Sequence, residues 1–184
     1  MRQLPRFNAR GLLPPGEYPM SLTDLRSSYL VAGIPDDALF SCWDRGWRGV
    51  LVNHLEIVVR QLWEIEVQDI YIDGSFVEQK DHPNDIDGYF SCDLIRLGSG
   101  ELERELNLLD PYKTWTWDPS SRRPYHGYAK RQLPMWHQYR IELYPHVGQI
   151  SGIRDGLGQS LDFATAFRRS RQDGLAKGIV KIAR

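Results

Sequence analysis

Two short motifs separated by nine residues carry the side chains best suited to chemistry. Gly74-Ser75 ends an apolar run, and Asp85-Ile86-Asp87 places an acid on each side of an apolar residue. Gly74 lacks a Cβ and lets phosphate oxygens approach the backbone, while the Ser75 hydroxyl can donate a hydrogen bond. On a strand, Asp85 and Asp87 point to the same face, with backbone positions about 6 to 7 Å apart. The motifs therefore predict a phosphate cradle beside a two-carboxylate metal site, an arrangement that suits phosphoryl transfer.

The expected cofactor is Mg²⁺, or Mn²⁺ in its place, because hard cations bind carboxylate oxygens and keep some waters. Two such ions about 3.5 to 4 Å apart can hold a triphosphate and activate an attacking oxygen. The alternative is a pair of surface acids, since fifteen Asp in the chain make about one Asp-x-Asp expected from composition, and carboxylates usually lie in solvent. The apolar runs Ile70 to Ile72 and Tyr89-Phe90, which flank the two motifs, favour the metal site.

The spacing of Gly-Ser, nine residues and Asp-x-Asp resembles the nucleotidyltransferase superfamily that shares the DNA polymerase beta fold. The resemblance implies an α+β fold with a mixed β-sheet flanked by helices, in which a third carboxylate on a later strand completes the metal site. Glu142 is the best candidate, because the alternation around it buries Ile141 and Leu143 and points Glu142 to the other face. The alternative for Glu142 is an exposed strand acid.

Three further side chains compete for a place in this site. Asp73 and Asp93 are the other candidate carboxylates, and Asp73 could instead orient backbone amides beside the cradle. Lys80 lies between the two motifs and could contact the triphosphate as a point charge. A solvated loop lysine is the alternative for Lys80.

More of the chain resembles a bacterial and phage group within the same superfamily. The residues that carry this narrower resemblance are Leu13 to Gly16, Asp73 to Val77, Lys80, Pro83 to Asp87 and the ending Lys177 to Ile182. Gly88 departs from the pattern, because the superfamily usually has an apolar residue directly after the second acid.

A basic and aromatic segment lies between Asp118 and Glu142, where the sequence has no acid. Its cations and rings are Arg122, Arg123, Tyr125, His126, Tyr128, Lys130, Arg131, Trp136, His137, Tyr139 and Arg140. Such residues can hold phosphates and stack on bases, which makes the segment a candidate acceptor surface for RNA. The alternative is a long loop whose rings pack on the core and whose cations are solvated.

Composition narrows the class of protein. A formal charge of −1 gives no chain-wide indication of nucleic-acid or membrane binding. The two cysteines, Cys42 and Cys92, have neither a CxxC spacing nor the density of a secreted scaffold. With no apolar leader and no stretch long enough to span a membrane, a cytoplasmic location is expected. Incomplete glycine fingerprints disfavour the Rossmann and P-loop classes.

Local patterns predict the elements that position these groups. Strands are predicted over 67–72, 85–92, 136–147 and 179–182, and helices over 47–66, 101–109 and 160–171. Short helices are predicted after the capping residue Ser21 and after Pro35, and another could begin at Ser75. Prolines and glycines in residues 1–20 predict an extended N-terminal arm on a single domain spanning 1–184.

The expected function is transfer of a nucleoside monophosphate from a nucleoside triphosphate to a hydroxyl of RNA, of tRNA or of a protein, with release of pyrophosphate. Asp85, Asp87 and Glu142 would hold the metal, and Gly74, Ser75 and Lys80 would contact the nucleotide. A catalytically inactive nucleotide- or RNA-binding regulator of the same fold, for example in a toxin-antitoxin or phage-defence pair, is the first alternative. An interaction protein whose acids are structural is the second. The sequence leaves the oligomeric state, the base and the acceptor open.

Overall fold

A computed structural model describes residues 4–154, 156, 158–170 and 173–184. The strands are β1 Glu17–Ser21, β2 Ile70–Asp73, β3 Ile86–Ser91, β4 Ile141–His146, β5 Ile150–Arg154, β6 Ser160–Asp162 and β7 Ile179–Ala183. The helices are α1 Leu22–Ser27, α2 Tyr29–Ala32, α3 Arg45–Glu64, α4 Leu94–Gly98, α5 Glu101–Leu109, α6 Pro134–Tyr139 and α7 Phe163–Phe167. Short 3-10 turns occupy Ala38–Phe40, Gly74–Val77 and Pro119–Ser121.

Five strands form a mixed sheet in the order β1-β7-β2-β3-β4. The outer pairs β1–β7 and β3–β4 are parallel, while β2 runs antiparallel to both of its neighbours. Strands β5 and β6 form a separate antiparallel pair. The protein therefore has an α+β fold with a mixed sheet flanked by helices, as the sequence predicts.

The core lies where α3 covers one face of the sheet. Helix α3 buries Leu51, Leu55, Val58 and Leu62 completely, at the helical spacing that the sequence shows. The facing strand residues include Ile70, Ile72, Ile86, Phe90, Ile141, Leu143, Val180 and Ile182. Because strand side chains alternate, the residues between these point to the opposite face, and that face carries the candidate site.

Most predicted elements are confirmed. Ser21 caps α1 by accepting a hydrogen bond from the Asp24 amide at 3.0 Å, and α3, α5, β2, β3 and β7 lie within a few residues of their predicted bounds. The turn at Gly74–Val77 occupies the place of the short helix expected from Ser75. Within the N-terminal arm, residues 17–21 form β1 and Leu13 is fully buried.

Two predictions are wrong. The strand predicted over 136–147 begins only at Ile141, because Pro134 starts helix α6 and Arg140 ends it in a left-handed backbone conformation with φ 56°. The helix predicted from Ser160 starts at Phe163, because Ser160–Asp162 pair with β5 and Asp162 is the capping residue, accepting from the Thr165 amide at 2.8 Å. The predicted end of that helix, residue 171, lies outside the described residues.

Candidate active site

Strand register brings three acids into one row across the sheet. Asp73 at the end of β2 pairs with Asp87 on β3, and Asp87 pairs with Glu142 on β4. Asp85 directly precedes β3, two residues before Asp87 and therefore on the same side of the strand. The three predicted carboxylates and the competing Asp73 thus lie at one end of the sheet.

The glycine of the predicted cradle lies against this row. Gly74 has φ +73°, and a Cβ at this position would lie 2.5 Å from Asp87 Oδ2. Only glycine combines that backbone conformation with so close an approach of a carboxylate. Gly74 and Ser75 line the same cavity as Asp85 and Asp87, so the structure brings the two sequence motifs together.

Asp85 is held by a tryptophan from helix α6. Trp136 is fully buried, and its Nε1 donates a hydrogen bond to Asp85 Oδ2 at 2.7 Å. Because Trp136 lies on the segment predicted as a strand, the sequence did not reveal this contact. Helix α6 thus fixes the orientation of one carboxylate of the site.

Glu142 is 2% exposed and is surrounded by donors. Its Oε1 accepts from the Leu133 amide and lies 3.3 Å from Arg122 Nη1, and Lys130 Nζ lies 3.6 Å from Oε2. The Tyr144 hydroxyl donates to Oε2. Burial, together with the neighbouring Glu142 charge, raises the pKa of Tyr144. Two cations therefore balance the Glu142 charge in this arrangement.

The acids differ in how well they fit a metal ion. Asp85 and Asp87 offer only carboxylate oxygens, the donors that Mg²⁺ prefers, and both line the cavity. Glu142 also lines the cavity and is paired with Arg122 and Lys130. Among the described residues, no group of three or more His, Cys, Asp or Glu side chains is arranged to hold a metal ion. The donor chemistry thus fits Mg²⁺ at the Asp pair, with Glu142 bound to its cations.

Lys177, which was not among the predicted site residues, is buried at the cavity wall. Its Nζ lies 3.0 Å from Asp73 Oδ1 and 2.5 Å from Glu78 Oε1. Burial raises the pKa of Asp73 to about 6 against the opposing effect of the Lys177 charge.

The flanking motifs of the resemblance lie next to each other in space. The Gly178 amide donates to the Leu13 carbonyl at 2.9 Å, and a Cβ on Gly178 would lie 2.4 Å from the Pro14 carbonyl oxygen. This contact places Lys177 beside Asp73. The only signal for Lys177 in the sequence was its position in the Lys177 to Ile182 ending.

Of the two remaining candidates, Lys80 lies at the site and Asp93 does not. Lys80 lines the cavity with the acids, and its carbonyl accepts a hydrogen bond from Arg48 at 2.6 Å. Asp93 follows β3 at the opposite end of that strand and caps α4 by accepting from the Arg96 amide at 2.9 Å. Asp93 is therefore excluded as a member of the acid row.

The cavity above the acid row has a volume of about 400 Å³ and two kinds of wall. The acids, Ser75, Lys80 and Lys177 form its charged side. The apolar side comes from Ile153 on β5 and from Phe163, Ala166 and Phe167 on α7. Phe163 and Phe167 pack on tyrosines of the sheet, with ring centroids 5.9 Å from Tyr144 and 5.5 Å from Tyr89 respectively. A ligand of this cavity would meet both charged groups and aromatic carbon.

The fold and site define a mixed-sheet α+β protein with an acid-lined cavity at one end of the sheet. The chain belongs to a family of unknown function, DUF6932, whose family model matches residues 5–183. Searches of curated proteins and of solved structures found no match. No helix in the described ranges is both long and apolar enough to cross a membrane.

Proposed function

We propose that the protein is a Mg²⁺-dependent nucleotidyltransferase of the DNA polymerase beta-like fold. The observation that carries the proposal is the acid row Asp73, Asp87 and Glu142, with Asp85 beside it, directly against the Gly74-Ser75 turn at a cavity. The strand order supports it, since a third carboxylate on a later strand is what the sequence resemblance implies and β4 supplies one next to β3.

The cavity suits a nucleoside triphosphate as donor. Its volume falls within the range of about 300 to 1,000 Å³ that is usual for small-molecule sites. The Ser75 hydroxyl and the Lys80 ammonium would contact phosphate oxygens. The apolar wall of Phe163, Ala166 and Phe167 would take the nucleoside, because an aromatic base gains by leaving water.

The proposed reaction displaces pyrophosphate. The hydroxyl oxygen of the acceptor forms a bond to the α-phosphorus, the bond from that phosphorus to the β-phosphate oxygen breaks, and pyrophosphate carries the electron pair away. When bound, Mg²⁺ supplies charge neutralisation for the triphosphate, and Asp85 and Asp87 would hold it. One carboxylate of the pair accepts the proton of the hydroxyl. Trp136 keeps Asp85 oriented by its 2.7 Å hydrogen bond.

A second candidate function is a catalytically inactive nucleotide- or RNA-binding regulator of the same fold. The observation that favours it is the pairing of Glu142 with Arg122 and Lys130, which occupies the third carboxylate with cations of the chain. This alternative expects nucleotide binding that survives replacement of Asp85 or Asp87. It also expects no release of pyrophosphate.

Purified protein incubated with Mg²⁺, each α-labelled nucleoside triphosphate and a cell extract tests the proposal. We expect label to appear on an acceptor, and Asp85→Asn and Asp87→Asn to lower transfer by about 100-fold or more. Asp93→Asn makes the same chemical change outside the site and keeps a good capping residue, so it should leave transfer unchanged. Nucleotide binding without transfer by the wild-type protein would support the regulator instead.

A further inference from the structure

We infer that the acceptor is single-stranded RNA, bound by the projecting loop between Arg123 and Gln132 and by helix α6 behind it. The inference rests on the proposed function for the reaction, but the binding surface has its own observations. Residues 119–141 contain five cations, Arg122, Arg123, Lys130, Arg131 and Arg140, and no acid. Because the chain as a whole is slightly acidic, this segment concentrates positive charge in one place.

The structure gives this segment a defined shape. Arg123 and Gln132 form an antiparallel bridge, with N–H···O distances of 2.8 Å in both directions. The bridge closes the residues between them into a projecting loop, and Arg123 and Arg131 at its two ends are exposed. Two exposed cations that flank one loop can follow a phosphate backbone.

Aromatic rings line the base of the same loop. The Tyr125 and Tyr128 rings each pack on Trp136, with centroids 5.0 and 5.1 Å away, and the Arg140 guanidinium lies 4.3 Å from the Tyr125 centroid and 3.9 Å from that of Trp136. Tyr125 remains 38% exposed despite these contacts. A ring held rigidly by its neighbours but partly open to solvent can stack on an unpaired base at low entropic cost.

The surface is continuous with the acids. Trp136 joins this aromatic cluster to Asp85 through its 2.7 Å hydrogen bond, and Tyr128 and Lys130 from the loop line the cavity with Asp85 and Asp87. A strand whose bases stack on the loop would therefore have its terminal hydroxyl within reach of the proposed reaction. Unpaired bases suit stacking better than a duplex, whose bases are covered by their neighbours.

The test measures RNA binding separately from catalysis. A fluorescent single-stranded RNA of about 12 nucleotides is titrated with the full chain in EDTA and without nucleotide, and the titration is repeated across salt concentrations. We expect the double variant Arg123→Ala with Arg131→Ala to weaken binding about tenfold. The slope of log affinity against log salt should fall by about 1.4, because two phosphate contacts are lost.

Variants at Tyr125 test whether its ring stacks on RNA bases. Tyr125→Ala should weaken binding about tenfold, while Tyr125→Phe keeps the ring and should bind like the wild type. Arg104→Ala removes an exposed cation on α5, outside the loop segment, and should leave RNA binding unchanged.

Three outcomes would overturn the inference. They are an absence of single-stranded RNA binding, equal affinity for the double variant and the wild type, and equally tight binding of duplex RNA. In the labelling experiment, transfer to a polypeptide and not to RNA would overturn it as well and would assign a protein acceptor. Intact RNA binding without any nucleotide transfer would contradict the proposed function and the role of RNA as acceptor, and would support the RNA-binding surface alone.

Discussion

Gly88 departs from the pattern of the superfamily that the sequence resembles, and the structure gives a packing reason for a glycine at this position. It lies on the core face of the sheet, paired with Ile72 on β2 and Leu143 on β4. A Cβ at Gly88 would lie 2.1 Å from the Tyr71 carbonyl oxygen and 2.7 Å from Leu143 Cδ2. The Leu143 side chain thus takes the space that an apolar residue at position 88 would need, and the departure is a matter of packing.

Replacement of Gly88 by Ala should therefore destabilise the protein by about 3 kcal/mol, because β2 and Leu143 must move to admit one methyl group. The matched control is Gly49→Ala in the second turn of α3, where an added Cβ meets nothing within 4 Å. That change should stabilise the protein by about 0.5 to 1 kcal/mol, since glycine is a poor helix former. Urea unfolding of both variants measures the two values, and a Gly88→Ala protein as stable as the wild type would contradict the packing argument.

Asp110 provides a pH-dependent prediction away from the candidate site. It is fully buried and accepts hydrogen bonds from the Thr114 hydroxyl at 2.6 Å, the Thr114 amide at 2.7 Å and the Tyr139 hydroxyl at 2.7 Å. Burial alone would raise its pKa, but the bonds from Thr114 and Tyr139 outweigh burial and lower the pKa below the ordinary 3.8. The charged form is therefore favoured in the folded state.

A lowered pKa in the folded state means that Asp110 contributes stability above pH 3.8, its ordinary pKa, and that this contribution is lost as the pH falls further. Asp110→Asn should cost about 2 kcal/mol at neutral pH, because an amide cannot accept all the bonds that the carboxylate accepts. The difference between variant and wild type should shrink in acid. Urea midpoints from pH 7 down to pH 3 measure this, and a constant difference would contradict the assignment.

At the scale of the element, the sequence predicts a helix or strand correctly where one apolar pattern continues without interruption along the whole segment. Helix α3 shows one apolar stripe over its length, and β3 shows one run of residues that fit a sheet. The predicted boundary between α6 and β4 is wrong because the helix passes into the strand at Arg140, a non-glycine residue with φ 56°. No glycine marks that change of conformation, so the alternation of β4 was extended backwards into the helix.

The sequence predicts the site residues that a local pattern orients, but it does not predict contacts between residues far apart in the chain. Alternation around Ile141 and Leu143 was enough to point Glu142 to the face that carries Asp87, and the register of β3 and β4 places the two side by side. Lys177 and Asp73 are 104 residues apart in the chain, and they meet only because β7 pairs with β2. A contact of that kind leaves no local periodicity to read.

Helix α3 positions the segment between the Gly74-Ser75 turn and the acids, through the buried Arg48. Its guanidinium donates to the carbonyls of Leu30 at 2.6 Å, Phe76 at 2.8 Å and Lys80 at 2.6 Å. It also stacks 3.7 Å from the Trp43 ring centroid. One side chain thus satisfies three buried or partly buried carbonyls and fixes both ends of residues 76–80.

Arg48→Met should lower the free energy of unfolding by about 3 kcal/mol, because several carbonyls lose their donor. It should also speed amide hydrogen exchange in residues 76–80. The control is Arg60→Met on the same helix, where the exposed side chain pairs with Glu56 at 2.6 Å and should contribute no more than about 0.5 kcal/mol. Equal effects of the two substitutions, or exchange that changes uniformly along the chain, would contradict a local role for Arg48.

At the scale of the whole molecule, the first and last strands of the described chain pair at one edge of the sheet. Strand β7 lies between β1 and β2, parallel to the first and antiparallel to the second. It contributes the buried side chains Ile179, Val180 and Ile182 to the core. The sheet is therefore complete only when residues near 180 have joined those near 20 and 70.

A chain ending at Ala176 should consequently fail to unfold cooperatively. Loss of three buried aliphatic side chains removes about 5 to 9 kcal/mol of burial, which is comparable to the whole stability of a typical domain. The truncation also strips β1 of its neighbour in the sheet and exposes the edge of β2. A chain ending at Ala183 is the matched control, because it keeps β7 and loses only Arg184. Circular dichroism during urea unfolding measures the cooperativity of both chains. A sharp transition of the shorter chain at the same urea midpoint as the control would show that β7 is dispensable.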